Sequence, residues 1–310
     1  MSEPVIPGLH HVTAISGAPQ ENANFYIKTL KQRLVKKTVN FDDPSTYHLY
    51  YGDKVGSPGT ILTFFPFVDA GPGRAGSGMA SAVAYGLPLG GLDHWMDHLA
   101  EDAIDFDGPS ERLGERMISV ADPHGLRIDL IEPKEAEPSD QQDTGFHSVT
   151  LWLDEIDGTE RLLSEHFGYE QVGHEITEEG ARTRYQSPGQ GRGSVVDLLV
   201  SDAASIGRQG AGTIHHVAFR AETDSIQKHW QEKLRSAGFE VTPVIDRQYF
   251  NAIYFREPGG VLFEIATDPP GFATDEPAET MGKNLMLPAQ YEGRRERIEE
   301  ILPPIKVPLS

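Results

Sequence analysis

The sequence predicts an α+β chain made of four βαβββ modules, arranged as two duplicated halves. Three observations lead there. "GLHHVTAI" (8–15) is matched by "GFHSVTLW" (145–152), an offset of 137 between His11 and Ser148. "GRAGSGMASAVAY" (73–85) is matched by "GRQGAGTIHHVAF" (207–219), an offset of 134 between Ala82 and His216. Each of the four matched starts is then followed by the same succession of patterns at nearly constant spacing. Self-similarity of this kind is the mark of a repeated supersecondary unit.

Each module begins with a short β-like run: VTAI, AVAY, VTLW and VAFR. A stretch with helical periodicity comes next, at 21–33, 91–101, 157–168 and 224–238. Counted from positions 11, 82, 148 and 216, a large apolar residue (Phe25, Trp95, Leu162, Trp230) falls 14, 13, 14 and 14 residues later. These are expected to anchor each helix on a sheet. Every module closes with a Pro/Gly turn and an alternating run: "SPGTILTFF", "DPHGLRIDLI", "GRGSVVDLLV" and "EPGGVLFEIA". The closing runs place Thr63, Asp129, Asp197 and Glu264 at 52, 47, 49 and 48 residues from the module starts. The expected division is a domain of modules 1 and 2 (1–140), a domain of modules 3 and 4 (141–270), and a Pro-rich tail (271–310) with one short charged helix in "YEGRRERIEEIL".

A chain of 310 residues suits two domains. It has no cysteine, so disulfides and thiolate sites are excluded. The net charge of −20 argues against a nucleic-acid partner. No apolar run is long enough to span a bilayer, and "MSEPVIPGLHH" lacks the pattern of a secretory signal. A cytoplasmic protein that does not contact membrane is expected, and a homo-oligomer is compatible with the chain.

The polar residues fall on the module grid. The start positions hold His11, Ala82, Ser148 and His216, and the end positions hold Thr63, Asp129, Asp197 and Glu264. If module 1 pairs with module 4, one cleft receives His11, His216 and Glu264, with Thr63 at the remaining corner. Pairing 3 with 4 supplies one imidazole, and pairing 2 with 3 supplies none. Two neutral imidazoles and one carboxylate on one face, with open positions opposite, suit non-heme Fe(II). Asp129 and Asp197 have no histidine partners and read as vestiges of duplication. His94 and His98 stand at i, i+4 but lack a third ligand, and read as a solvated helix face.

Four modules with a His at two strand starts and a Glu on the last strand resemble the vicinal-oxygen-chelate superfamily, over the whole of the repeated body. Within it, "GLHHVTAI", "GRAGSGM", "TIHHVAFR", "DRQYFNAIYFREPGG" and "LFEIATDPPGF" resemble ring-cleaving dioxygenases that act on hydroquinones. The resemblance implies two vicinal-oxygen-chelate domains, Fe(II) held by His11, His216 and Glu264, and a small aromatic substrate opened with O2. It maps His10, Thr13, His215, Arg247 and Tyr254 to the surrounding catalytic groups.

The residues themselves support these roles unevenly. His10 and His215 point to the opposite strand face from their neighbours, unless a bend turns them toward the cleft. Thr13 shares the face of His11 at i, i+2. Tyr254 lies ten residues before Glu264, across a hairpin-sized "REPGG" turn. Arg247 beside an anionic quinol would bind its oxyanion. The resemblance also implies that His215, His10 or Tyr254 receives the quinol proton, in a mostly apolar cleft covered by the tail. A catechol-cleaving enzyme, a Zn²⁺ or Ni²⁺ glyoxalase-like lyase or isomerase, and a non-enzymatic binding protein of the same fold stand as alternatives. The glyoxalase type would need a fourth carboxylate where the sequence has Thr63.

Overall fold

The computed structural model describes residues 4–135, 145–189, 191–201 and 205–308. The expected boundary at 140/141 lies outside the described residues. Module 1 supplies β1 (Leu9–Ser16), β2 (Arg33–Val39), β3 (Tyr47–Gly52) and β4 (Ile61–Pro66). Module 2 supplies β5 (Met79–Gly86), β6 (Asp107–Arg112), β7 (Glu115–Ala121) and β8 (Arg127–Glu132). Module 3 supplies β9 (Phe146–Leu153), β10 (Glu170–Thr177), β11 (Gly180–Gln186) and β12 (Val195–Val200). Module 4 supplies β13 (Thr213–Ala221), β14 (Ile245–Asp246), β15 (Phe250–Arg256) and β16 (Leu262–Pro270).

Two eight-stranded sheets result, in the orders β14-β15-β16-β13-β1-β4-β3-β2 and β10-β11-β12-β9-β5-β8-β7-β6. Module 1 therefore joins module 4, and module 2 joins module 3. Each sheet closes through its first strands, β1 against β13 and β5 against β9, both antiparallel. A module by itself would leave its first strand as an unpaired edge, and pairing removes that edge.

The helical stretches pack one face on the sheets, and the anchors mostly behave as their spacing implies. Phe25, Leu162 and Trp230 are buried, and Trp95 is partly buried against the core. The first helix is shorter than its periodicity suggests. It runs Pro19–Asn24, ends in a π-helical turn Phe25–Thr29, and yields to β2 at Arg33. Its counterpart in module 3 ends the same way, Asp157–Arg161 followed by Leu162–His166. The two glycine-rich connectors pair with each other: Arg74 N–H donates to the Arg208 carbonyl at 2.9 Å, and the reverse bond is 2.8 Å. Each ends on a glycine at positive φ, Gly78 (81°) and Gly212 (84°). A Cβ on Gly212 would lie 1.9 Å from the His124 carbonyl oxygen, so only glycine fits there.

The pairing aligns residues in rows across the sheets. In the first sheet one row reads His11–Ala218–Glu264–Tyr254. The other reads His216–Thr13–Thr63–Tyr50 and continues to Lys36. The rows are related by the duplication and run in opposite senses. The second sheet has equivalent rows, Ser148–Ala84–Asp129–Ser119 and Ala82–Thr150–Asp197–Arg184. There the end-position carboxylates are neutralised by arginines. Asp129 meets Arg112 at 2.8 Å and Arg127 at 2.9 Å, and Asp197 meets Arg184 at 2.8 Å. Guanidinium groups fill this half with buried ion pairs, which accounts for carboxylates without imidazoles.

The tail folds back over module 1. Its helix is split by Gly293 into Ala289–Glu292 and Arg295–Ile301. Phe272 packs on Tyr50 and stacks on Tyr249, with centroids 5.1 and 5.2 Å apart. Lys36, fully buried, pairs with Asp275 at 2.6 Å and Glu276 at 2.7 Å.

Candidate metal centre

β1 and β13 pair antiparallel at the middle of the first sheet, and the pairing brings their His doublets together. His11 Nε2 and His216 Nε2 are 3.4 Å apart. Glu264 Oε2, delivered by β16 from the other side of β13, lies 2.9 Å from His216 Nε2 and 3.4 Å from His11 Nε2. Ligands about 2.1 Å from one ion sit about 3.0 Å apart in octahedral and about 3.4 Å apart in tetrahedral arrangement, so the triangle has the size of a metal-binding face. Among the described residues these three form the one such cluster of His, Cys, Asp and Glu.

The chemistry of the donors fits a cation better than a hydrogen-bond network. Glu264 is fully buried, yet neither of its oxygens receives a well-directed hydrogen bond. An ionised carboxylate in that position calls for a partner charge. Burial raises its carboxyl, and His11 and His216 more than offset this, leaving it below the usual carboxylate range. Burial lowers His216, so its imidazole is neutral and has a lone pair to give.

The first histidine of each doublet sets the tautomer of the second. His10 Nδ1 lies 3.0 Å from His11 Nδ1, and His215 Nδ1 lies 2.8 Å from His216 Nδ1. His10 also bonds the Thr267 backbone. With His10 Nε2–H donating there, its Nδ1 is free to accept from His11 Nδ1–H. His11 Nε2 is then left as a lone pair facing the ligand triangle. If His216 Nε2 is to give its lone pair to a metal, its proton sits on Nδ1, and His215 Nδ1 is then the acceptor with its own N–H on Nε2. Burial first, and repulsion from the neighbouring imidazole second, lower His10 to about 3 and His215 to about 4, so both are neutral near pH 7. Neighbours that orient metal-ligating imidazoles in this way raise metal affinity.

A cavity of about 500 Å³ opens on the triangle. His11, His216, His215, Tyr254 and Arg247 line it, as do Phe41, Phe65, Phe67 and Phe250. His10 and Thr13 do not reach its wall. His10 supports His11 from behind, and Thr13 donates or accepts a 2.8 Å bond with Thr63 beneath the triangle. Arg247 Nε is 3.4 Å from the Tyr254 hydroxyl and its Nη1 is 3.2 Å from Asp42. Burial raises Tyr254 well above the ordinary phenol range, so it is a neutral donor beside a permanent cation.

Sequence reasoning missed His48 and Tyr50, which also line the cavity. His48 Nε2 bonds Thr63 Oγ1 at 2.8 Å and its Nδ1 bonds the Tyr50 hydroxyl at 2.8 Å. No local pattern marks them; the register does, with Tyr50 opposite Thr63 as Tyr254 is opposite Glu264. His94 and His98 lie on the Gly91–Glu101 helix, away from the triangle, and His98 bonds the Thr29 carbonyl at 2.9 Å.

Comparison with known proteins follows the same duplication. The model of the Glyoxalase/Bleomycin resistance protein/Dioxygenase superfamily matches residues 8–130 and again 145–265. "Putative ring-cleaving dioxygenase MhqO" of Bacillus subtilis is 48% identical over 309 residues, 97% of each chain. The "Chlorohydroquinone/hydroquinone 1,2-dioxygenase" of Sphingobium indicum is 33% identical over 311 residues, 94% of this chain and 95% of its own. A crystal structure of a "putative dioxygenase" from Bacillus subtilis superposes with a TM-score of 0.91 at 46% identity, covering 100% of both chains.

Proposed function

The chain belongs to the Glyoxalase/Bleomycin resistance protein/Dioxygenase superfamily and is a ring-cleaving dioxygenase, and from that premise we propose that it opens a hydroquinone-type ring with O2 at an Fe(II) held by His11, His216 and Glu264. The observation that carries the reading is an open face: three ligands on one side and an aromatic-lined cavity on the other, with Thr63 instead of a fourth carboxylate. Two-His-one-carboxylate sites with open positions suit non-heme Fe(II).

Iron bound there would supply the redox chemistry and lower the pKa of a bound phenol oxygen. The surrounding residues hold the substrate. Arg247 stays charged: burial opposes this, but the contact with Tyr254 and the nearby Asp42 outweigh it. Its guanidinium favours the oxyanion form of a quinol at the Tyr254 end of the cavity. With His216 Nε2 on the metal, His215 carries its N–H on Nε2 and donates to an oxygen rather than collecting a proton. His10 is occupied on both nitrogens and orients His11. Phenylalanines at 41, 65, 67 and 250 supply an apolar wall for the ring and keep water out.

Oxygen uptake tests the proposal. Protein loaded anaerobically with Fe(II) is given methylhydroquinone, chlorohydroquinone or catechol. Uptake with a hydroquinone and stoichiometric ring-opened product supports it. Uptake with catechol alone moves the substrate to the ortho-diphenols.

A further inference from the structure

The cavity has two poles of different charge, built from the two equivalent rows. At one, Tyr254 is the cross-strand neighbour of Glu264 and lies against Arg247, whose guanidinium carbon is 5.5 Å from the Tyr254 ring. At the other, Tyr50 is the cross-strand neighbour of Thr63 and lies against His48. The duplication has thus placed two phenols as counterparts, one backed by a cation and one by an imidazole.

The imidazole pole is neutral and rigid. Burial lowers His48 far below its ordinary range. Its ring is held between Tyr50 (centroids 4.0 Å) and Phe65 (4.3 Å), and both its nitrogens are engaged. The Tyr50 hydroxyl has one bond to His48 and can make another. If it donates to His48 Nδ1, its oxygen accepts from a substrate O–H. If His48 Nδ1–H donates to it, its own O–H is free for a substrate oxygen. Phe272 of the tail closes the space behind the Tyr50 ring. Tyr50 stands two strands from Thr13, a lateral distance of about 10 Å, so its hydroxyl comes from the cavity wall rather than from the floor that carries the ligands.

We propose that Tyr50, positioned by His48, binds the second, un-ionised hydroxyl of the substrate and so selects aromatics with two oxygens on opposite sides of the ring. The inference rests on the quinol reading of the cavity. An anionic oxygen goes to the Arg247–Tyr254 pole at the open metal face, and the neutral hydroxyl goes to the Tyr50–His48 pole. Tyr50 contacts substrate, and His48 acts through Tyr50.

A ligand–protein cycle tests this by affinity, independently of turnover. Anaerobic calorimetry measures hydroquinone and phenol binding to Fe(II)-loaded wild type, Tyr50→Phe and His48→Leu. Phenol lacks only the second hydroxyl. Tyr50→Phe is expected to weaken hydroquinone about tenfold and phenol less than twofold, the loss of one neutral hydrogen bond. His48→Leu is expected to weaken hydroquinone selectively by a smaller factor, where a merely structural role would weaken both ligands alike. Metal content and thermal unfolding establish that each variant is folded and loaded. Equal weakening of both ligands, or none, overturns the role of Tyr50. Failure of both ligands to bind loaded wild type overturns the quinol reading itself, and this inference with it.

Discussion

Thr63 holds the place in one cross-sheet row that Glu264 holds in the other. The duplication produced two equivalent corners beside the two imidazoles, and only one carries a carboxylate. The other carries a hydroxyl bonded to Thr13 and His48, both at 2.8 Å. Three protein ligands leave room at a metal for substrate and a co-reactant, whereas a fourth carboxylate would consume a position.

Metal removal should therefore cost stability as well as activity. Chelation is expected to lower the melting temperature of the wild type by several degrees, because a bound ion stabilises only the folded state. Glu264→Gln removes the buried, poorly bonded carboxylate. Its melting temperature should respond little to chelator, and metal analysis should find it depleted. His11→Ala and His216→Ala should lose metal and activity together. Full metal occupancy in any of these variants would show that the residue is not a ligand.

His10 is expected to matter without touching substrate. His10→Phe leaves the His11 Nδ1–H buried with no acceptor and frees the ring to turn. Metal affinity should weaken about 10- to 100-fold while the stoichiometry stays at one. Competition against a chromophoric chelator reads this directly, and an unchanged dissociation constant would contradict the tautomer argument.

His48 predicts a pH dependence of stability. Its folded pKa is lowered well below the ordinary 6.5, chiefly by burial. The unfolded chain takes up a proton near 6.5 that the folded protein refuses. The contribution is fully present above that pH and is lost as pH falls below it. Urea midpoints of metal-free protein should drop between about pH 7.5 and about pH 5.5. His10 and His216, also lowered, add to the drop. Replacing His48 by Gln should make it shallower, and an unchanged slope would show that His48 is not held neutral by the fold.

Lys36 secures the tail. It is 0% exposed and bonded to Asp275 and Glu276. Lys36→Met strands the buried Glu276 carboxylate, and breaking such a cluster costs about 3–5 kcal/mol. Denaturant titration should show a loss of that order. Trypsin should cut within 271–300 faster than in the wild type, because Phe272 and Met281 lose their anchor. Unchanged cleavage would mean that the apolar contacts of the tail hold it unaided.

Much of the architecture was legible because duplication leaves spacing in the chain. The four starts, the four end positions and the helix anchors follow from the matched stretches and from period-2 and period-3.6 patterning. His11, His216 and Glu264 could be named from that grid because equivalent positions in equivalent modules face equivalent places. Even the silent half is written there, since Ala82, Ser148, Asp129 and Asp197 lack imidazoles. What the chain order does not contain is which module closes against which. Module 1 meets module 4 through β1 and β13, some two hundred residues apart, and that pairing is decided by which edges and apolar faces can be buried together. The same holds for His48 and Tyr50. Nothing local distinguishes "YHLYY" from an ordinary core strand, and only the β3–β4 register lays His48 on Thr63 and Tyr50 at the cavity wall. The roles of His10 and His215 are tertiary too. Adjacent residues on an ideal strand point to opposite faces, and it is irregular register at β1 and β13 that brings the two rings of each doublet together with facing Nδ1 atoms.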